Sequence, residues 1–166
     1  MSHLVVMGVA GCGKSSVAQA LAVALDLPMI EGDEFHSAAS QAKMAAGVAL
    51  DDADRAGWLG TLAAQLLALP AGAVLSCSAL KRRYRDRLRA ACPTLHFVHL
   101  VIDAPTALLR VAARADKHFF GPGLVASQFE ALESPAGEAG VIEVDATRPI
   151  ADLVETVVAS LRRAGA

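Results

Sequence analysis

Short apolar runs alternate with longer amphipathic stretches along the chain. A continuous apolar run is typical of a strand that is buried on both faces of a sheet, whereas apolar residues at spacings of three and four are typical of a helix. The runs predict strands over residues 3–7, 27–30, 73–77, 95–102 and 141–144. The stretches between them predict helices over residues 14–25, 40–46, 55–69, 81–91, 105–115, 124–132 and 149–163.

This alternation predicts one α/β domain over residues 1–166, with a five-stranded parallel sheet and helices on both of its faces. A ligand crevice is then expected at the carboxyl ends of the strands. Two polar segments interrupt the pattern, and long loops in a compact domain tend to be functional. We interpret residues 31–58 as an insertion that binds an acceptor molecule and residues 115–123 as a lid over bound nucleotide. Asp52 or Asp54 suits the cap of the helix that is predicted to start near Arg55.

Composition narrows the class of protein. Hydrophobic residues make up 54% of the chain and charged residues 19%, which favours a compact globule over disorder. The net charge of −2 gives no general attraction to nucleic acid or to an anionic membrane, and no apolar run approaches the roughly 20 residues of a membrane span. The chain enters its first strand without a charged start, and its three cysteines lack metal-ligand spacing. We therefore expect reduced thiols in a cytoplasmic protein.

The segment Gly8–Ser15 carries the clearest chemical signal. Its sequence, GVAGCGKS, fits the phosphate-binding pattern of Gly, four residues, Gly, Lys and Ser or Thr, and it lies between a predicted strand and a predicted helix. The glycines allow backbone N–H groups to surround phosphate oxygens, and the helix N-terminus adds partial positive charge. Lys14 is expected to reach the β- and γ-phosphates of ATP, and the Ser15 hydroxyl is expected to ligate Mg²⁺. The predicted ATP contacts in this loop are Gly8, Ala10, Gly11, Cys12, Gly13, Lys14, Ser15 and Ser16.

The rest of the chain favours a kinase over other proteins with this loop. The chain contains no asparagine, which excludes the Asn-Lys-x-Asp motif that reads guanine. A motor ATPase places an Asp at the end of an apolar strand, but none follows the run 73–77. The run 27–30 instead leads to Asp33, a carboxylate that suits an acceptor hydroxyl, either to orient it or to take its proton. Asp33 also suits a helix cap or a turn.

Six further blocks follow in order along the chain: GDEFH (32–36), KMAAG (43–47), LDDADRAGWL (50–59), CSALKRRYRDRLR (77–89), HF (118–119) and SQFEALESP (127–135). Together with the phosphate loop, they resemble the gluconokinases, the small ATP-dependent kind related to shikimate kinase. The resemblance implies a three-layer P-loop kinase fold, ATP and Mg²⁺ as cofactors, and a homodimer. It also implies transfer of the ATP γ-phosphate to the 6-hydroxyl of D-gluconate.

The resemblance implies acceptor contacts for Asp33, His36, Lys43, Arg55, Lys81, Arg85, His118 and Gln128. Asp33 would lie at the reacting hydroxyl, and Gln128 would read another hydroxyl with its amide. Lys81 and Arg85 are four apart, so a helix would present both on one face to the gluconate carboxylate. By spacing alone a solvated basic face suits them equally well, and solvated positions also suit Lys43 and Gln128.

Arg110 and Arg114 are also four apart, on the helix that runs into the predicted lid. By analogy with related kinases, they would close on the phosphates and neutralise the charge that develops on the transferred group. A solvated helix face is the alternative. With Lys14 and Asp33 they complete the predicted catalytic set, and Arg110 is also a predicted ATP contact. In related folds the turn at 145–149 holds adenine.

The chain departs from the family pattern at two positions. Ser37 and Ser40 stand where the family has Pro and Asn, both within the predicted acceptor-binding insertion. Neither change touches ATP binding, but both leave the identity of the acceptor open. The alternatives are a kinase of another small hydroxy acid, such as shikimate or a related sugar acid, and an ATP-binding regulatory module without turnover.

Overall fold

A computed structural model describes residues 2–114 and 122–165. Within them the strands are β1 (Leu4–Met7), β2 (Met29–Glu31), β3 (Val74–Ser76), β4 (His96–Val101) and β5 (Val141–Asp145). The α-helices are α1 (Lys14–Leu25), α2 (Ala38–Ala45), α3 (Asp52–Leu67), α4 (Arg82–Ala91), α5 (Ala104–Ala113), α6 (Pro122–Ala131) and α7 (Ile150–Ala164). A short 3₁₀ helix, Gly32–Phe35, follows β2 directly.

The strands form one parallel sheet in the order β2-β3-β1-β4-β5, so that β1 lies at its centre. The register pairs Val6 of β1 with Ser76 of β3, and Ser76 with Glu31 of β2. The carboxyl ends of these three strands therefore lie side by side. The phosphate loop and the polar residues after β2 leave the sheet at the same edge, which is where a ligand crevice was expected.

Alternation along β1 divides the core into two layers. Leu4 and Val6 pack in a cluster with α1 and α7, whereas Val5 and Met7 pack in a second cluster with α3 and α4. All four side chains are fully buried, as expected for a central parallel strand. The predicted α/β fold, a five-stranded parallel sheet with helices on both faces, is confirmed.

The start of α3 corrects one prediction. Asp51 is the N-cap, because its carboxylate accepts a hydrogen bond from the Asp54 N–H at 2.8 Å. The Asp54 carboxylate accepts one from the Asp51 N–H at 3.1 Å, which completes a capping box. The expectation that Asp52 or Asp54 is the N-cap is therefore wrong. Asp52 is the first residue of the helix, and its carboxylate serves other contacts at the site.

The structure describes only a small part of the predicted lid. Most of the predicted lid, residues 115–123, lies outside the described residues, and Pro122 and Gly123 belong to the first turn of α6.

Among the helices of residues 2–114 and 122–165, none is long and apolar enough to cross a membrane.

Candidate active site

The phosphate loop joins β1 to α1 and depends on glycines with positive φ, +148° at Gly8, +84° at Gly11 and +89° at Gly13. At Gly11 a Cβ would lie 2.7 Å from the carbonyl oxygen of Ala107 in α5, so a side chain has no room there. Gly13 is the N-cap of α1, which begins at Lys14. The first N–H groups of α1 have no partner within the helix and are available to phosphate oxygens.

Lys14 and Ser15 line a cleft at the start of α1. The Lys14 ammonium donates a hydrogen bond to the carbonyl oxygen of Val9 at 3.2 Å, so it rests on its own loop. The Ser15 hydroxyl lies 3.4 Å from the Ser76 hydroxyl at the end of β3. Hydroxyl and carboxylate oxygens suit Mg²⁺, and Asp33 lines the same cleft. The residues at this edge therefore fit the Mg²⁺ ion that accompanies a bound nucleoside triphosphate.

Gly32 brings Asp33 close to the phosphate loop. A Cβ on Gly32 would overlap the carbonyl oxygen of Ser76, so the chain can approach β3 this closely only with glycine. The buried Trp58 indole donates a hydrogen bond to the Gly32 carbonyl at 2.7 Å. These contacts fix the 3₁₀ helix against the end of β3. The Asp33 side chain is 68% exposed and opens into the cleft that Lys14 lines.

His36 is buried beside Asp33. Its ring stacks on Trp58, with the ring centroids 4.4 Å apart and the planes at 18°, and its Nε2 lies 3.8 Å from the Asp33 carboxylate. Burial lowers the pKa of His36 and Arg55 lowers it further, although Asp33 acts in the opposite direction. His36 is therefore held neutral at neutral pH. Its buried Nδ1 has no hydrogen-bond partner within the described ranges, which leaves this atom for a polar ligand.

Three cations surround Tyr84 at the far side of the cleft. The Arg55 guanidinium lies 5.8 Å from the Tyr84 ring centroid, that of Arg83 5.4 Å, and the Lys81 ammonium 5.9 Å. The Tyr84 hydroxyl donates to the Asp52 carboxylate at 2.7 Å, and Arg83 is ion-paired with the same carboxylate. The Tyr84 hydrogen bond, with help from Arg83 and Lys81, lowers the pKa of Asp52. Only Arg55 of this group lines the cleft, and Lys81 lies behind it as the N-cap of α4.

Arg85 lies away from the cleft, contrary to the expected acceptor contact. Its side chain is fully buried and forms an ion pair with Glu138 at 2.5 Å. Its guanidinium also donates to backbone carbonyls at 2.9–3.0 Å, those of Ala79, Leu80 and Glu133. The physical reason is that Lys81 precedes the first helical residue, so the two cations do not share a helix face. Arg85 turns inward and holds the segment after α6, and its N–H groups are already used.

Lys43 stabilises the insertion. Its ammonium forms an ion pair with the Asp54 carboxylate at 2.7 Å and lies 3.9 Å from that of Asp51, so it ties α2 to the start of α3. The acceptor contact expected for Lys43 is not present in this geometry, because its charge is engaged outside the cleft lining. Its neighbours form an apolar wall of the cleft that our sequence reasoning missed, made of Met44, Val48, Ala49 and Leu50.

Helices α5 and α6 bring the remaining predicted residues to the loop. Arg110 donates to the carbonyl oxygens of Gly11 at 3.3 Å and Cys12 at 3.4 Å, and to that of Ala146 at 3.0 Å. It therefore connects the phosphate loop to the turn after β5. Arg114, the C-cap of α5, lines the cleft directly.

Gln128 of α6 contacts the loop backbone itself. Its Oε1 accepts a hydrogen bond from the Ala10 N–H at 2.6 Å, and its side chain lines the cleft. The amide that was expected to bind an acceptor hydroxyl is thus already bonded to the loop through its oxygen. His118 lies outside the described residues.

A cleft of about 210 Å³ brings most of these groups together. The predicted site residues that line it are Ala10, Gly11, Gly13, Lys14, Ser15, Ser16, Asp33, His36, Arg55, Arg114 and Gln128. The described ones outside its lining are Gly8, Cys12, Lys43, Lys81, Arg85 and Arg110. The cleft thus holds phosphate-binding amides, a lysine, an exposed carboxylate and an arginine, which are the groups that phosphoryl transfer to a hydroxyl requires.

Comparison with known proteins identifies the family. Residues 4–134 match a family model described as an AAA domain. A gluconokinase from Gluconobacter oxydans is 45% identical over 146 residues, which cover 85% of this chain and 80% of that protein. The chain belongs to the gluconokinase family. The crystal structure of a gluconokinase from Sinorhizobium meliloti matches this gluconokinase-family chain with a TM-score of 0.89 and 42% identity, over 98% of this chain and 92% of that one.

More distant structures share only the fold. Shikimate kinase from Aquifex aeolicus matches with a TM-score of 0.62 at 14% identity, over 99% of this chain and 98% of that one. This confirms the predicted relation to P-loop kinases. Membership of the P-loop kinases implies ATP as the phosphate donor.

Proposed function

We propose that this chain transfers the γ-phosphate of ATP to the 6-hydroxyl of D-gluconate, giving 6-phosphogluconate and ADP. The observation that carries the proposal is a single cleft with the phosphate loop and Lys14 at one end and Asp33, His36 and Arg55 at the other. The relatives named as gluconokinases support gluconate as the acceptor.

At the donor end, the N–H groups of the loop bind the β- and γ-phosphates, and the Lys14 ammonium leaves the Val9 carbonyl to reach them. The 6-hydroxyl oxygen attacks the γ-phosphorus, the bond from that phosphorus to the bridging oxygen breaks, and ADP leaves with the electron pair. Asp33 orients the hydroxyl and accepts its proton. Lys14 and Arg114 line the cleft and neutralise the charge on the transferred group, while Arg110 holds the loop carbonyls.

At the acceptor end, the gluconate carboxylate binds Arg55, which lines the cleft, and the nearby Lys81 beside Tyr84 adds positive charge to this side. The neutral ring of His36 offers its Nδ1 to a hydroxyl. Buried polar groups that match hydroxyls discriminate strongly, because a wrong substrate leaves them unpaired.

Ser37 and Ser40, where the chain departs from the family pattern, stabilise the start of α2 and lie outside the cleft lining. Ser37 is the N-cap of α2 and accepts a hydrogen bond from the N–H of Ser40, and the hydroxyls of the two serines lie 3.1 Å apart. Ser40 is buried. Both serines therefore stabilise the turn into α2, which favours an unchanged acceptor over a different sugar acid.

Mg²⁺ belongs to the proposal because the oxygen donors at the edge of the sheet fit it. The Ser15 hydroxyl would hold the ion, with Asp33 near. When bound, Mg²⁺ neutralises phosphate charge and orients the transferred group. The homodimer, the cytoplasmic location, and the roles of residues 31–58 as insertion and 115–123 as lid stay predictions.

A panel of acids assayed for ADP release with Mg-ATP tests the proposal. We expect rapid release with D-gluconate and background release with shikimate, other sugar acids and nucleoside monophosphates. Faster ADP release with another acid would identify that acid, instead of gluconate, as the acceptor. Nucleotide binding without ADP release on any acid would favour a regulatory module instead.

A further inference from the structure

The peptide group between Val9 and Ala10 is held at both of its polar atoms. Its N–H donates to the Gln128 Oε1 at 2.6 Å, and its carbonyl oxygen accepts from the Lys14 ammonium at 3.2 Å. The same carbonyl accepts from the Cys12 N–H at 3.2 Å. Because a peptide group is planar, fixing its N–H fixes the direction of its carbonyl as well. Gln128 therefore sets the orientation of the carbonyl on which Lys14 rests.

The rest of the loop is supported from α5, so Gln128 provides a separate attachment from α6. Gly11 approaches the Ala107 carbonyl closely, and Arg110 donates to the Gly11 carbonyl at 3.3 Å. The Ala10 methyl packs against a small apolar cluster of α5 and α6 that contains Val111 and Val125. Two helices thus hold the loop, α5 at Gly11 and α6 at Ala10.

The chemistry of the amide fixes which end of Gln128 faces the loop. An N–H can donate only to the oxygen of a side-chain amide, so Oε1 faces Ala10 and Nε2 carries two further donors. An acceptor contact through the oxygen would require the loop to give up this short hydrogen bond. The observed geometry is therefore that of a residue that acts on the loop.

We propose that Gln128 is a positioning residue for the donor end, which holds the Val9–Ala10 peptide in the orientation that receives the triphosphate. It preorganises the loop and keeps Lys14 beside it. The inference concerns nucleotide binding, and only its comparison with acceptor kinetics rests on the proposed phosphorylation of gluconate.

The test replaces Gln128 by methionine, which has similar length, lacks the amide oxygen and offers only a weakly accepting sulfur. Hydrogen–deuterium exchange of the peptide covering residues 8–13 is measured without nucleotide, and the Kd for Mg-ADP is measured by calorimetry without acceptor. We expect faster exchange in that peptide and a Kd raised roughly 3- to 10-fold, which is the effect of losing one hydrogen bond. The thermal midpoint and the KM for gluconate should stay close to those of the parent protein.

The matched control is Glu130→Gln, an exposed change on the same helix, and it should leave all four quantities unchanged. Unchanged exchange and unchanged Mg-ADP affinity in Gln128→Met would overturn the proposal. A raised KM for gluconate with normal nucleotide binding would also overturn it, because that result would show that Gln128 contacts the acceptor. If no acid is phosphorylated at all, the proposed function fails while the exchange and Mg-ADP measurements still decide the role of Gln128.

Discussion

The two ends of the cleft are built in different ways. The donor end is a continuous stretch of backbone, Gly8–Ser15, whose shape follows from glycine conformations and from the start of one helix. The acceptor end combines side chains that are far apart in the sequence, among them Asp33 and Arg55, and Arg55 in turn packs beside Tyr84 of α4. The donor end is therefore one local stretch of backbone that α5 and α6 hold in place, whereas the acceptor end is assembled from side chains of several elements.

The support of the acceptor end extends well beyond the cleft. Arg85 holds the residues before α4 through the Ala79 and Leu80 carbonyls, and it is held in turn by Glu138. The hydrogen bond from Arg85, with a further one from Arg89, lowers the pKa of Glu138 to about 2. The contrast between the two ends predicts that substitutions at the donor end change turnover directly, while distant substitutions act on the acceptor end through the fold.

Lys14→Ala should have the largest effect. Removal of the ammonium leaves phosphate charge without its cation, and we expect kcat to fall by at least about 10³-fold. Steady-state ADP release measures this, with circular dichroism as the control for folding. Turnover within about tenfold of the parent protein would contradict the donor role of the loop lysine.

Asp33→Asn should have the next largest effect. The amide keeps the shape of the side chain but cannot accept a proton, and we expect kcat to fall about 100-fold while Mg-ATP affinity changes by less than about twofold. Glu34→Gln, an exposed neighbour outside the cleft lining, is the matched control and should keep normal kinetics. An unchanged kcat in Asp33→Asn would contradict the proposed role of this carboxylate at the acceptor hydroxyl.

Glu138→Gln should reduce stability, because it leaves the fully buried Arg85 without its counter-charge. We expect a loss of about 3–5 kcal/mol in the free energy of unfolding, measured in urea. The exposed Glu155→Gln serves as the control and should change the free energy little.

The pH dependence of this loss has a definite sign. The pKa of Glu138 is about 2 in the folded chain, against an ordinary value of 4.5, so the ion pair stabilises the fold fully above pH 4.5 and its contribution disappears as the pH falls toward 2. The difference between the parent protein and Glu138→Gln should therefore narrow across this interval. A difference that is constant with pH would contradict the assigned ion pair.

Tyr84→Phe should have the smallest effect. It removes the hydroxyl that donates to Asp52 at 2.7 Å but keeps the ring beside Arg55. We expect the KM for gluconate to rise about 2- to 5-fold, since one partly exposed hydrogen bond is lost, with the KM for Mg-ATP unchanged. An effect confined to the KM for Mg-ATP would show that the two ends are not separate.

Local patterns predicted the fold and the position of the phosphate loop between β1 and α1. The parallel sheet follows from apolar runs separated by helical stretches, and the geometry of the loop follows from Gly11, Gly13 and Lys14. The capping box was also a local signal, but the N-cap is Asp51, one residue before Asp52 and three before Asp54. Short-range physics decides these features, so they can be predicted from the sequence.

Contacts between residues that are far apart in the sequence were harder to predict, both at the acceptor end and around the phosphate loop. Spacing paired Lys81 with Arg85, whereas the structure pairs Arg85 with Glu138, 53 residues away. Gln128 finds its partner at Ala10, 118 residues away. Burial and tertiary contacts determine such pairings, and the spacing of residues along the chain does not predict them.

The most direct test of the central claim is a phosphorus NMR spectrum of the protein incubated with Mg-ATP and D-gluconate. The account predicts that the γ-phosphate signal is replaced by a phosphomonoester signal coupled to the methylene protons at C6, in step with the formation of ADP. Conversion of the γ-phosphate to inorganic phosphate alone, or no consumption of ATP, would contradict transfer from the phosphate loop to an acceptor held at Asp33.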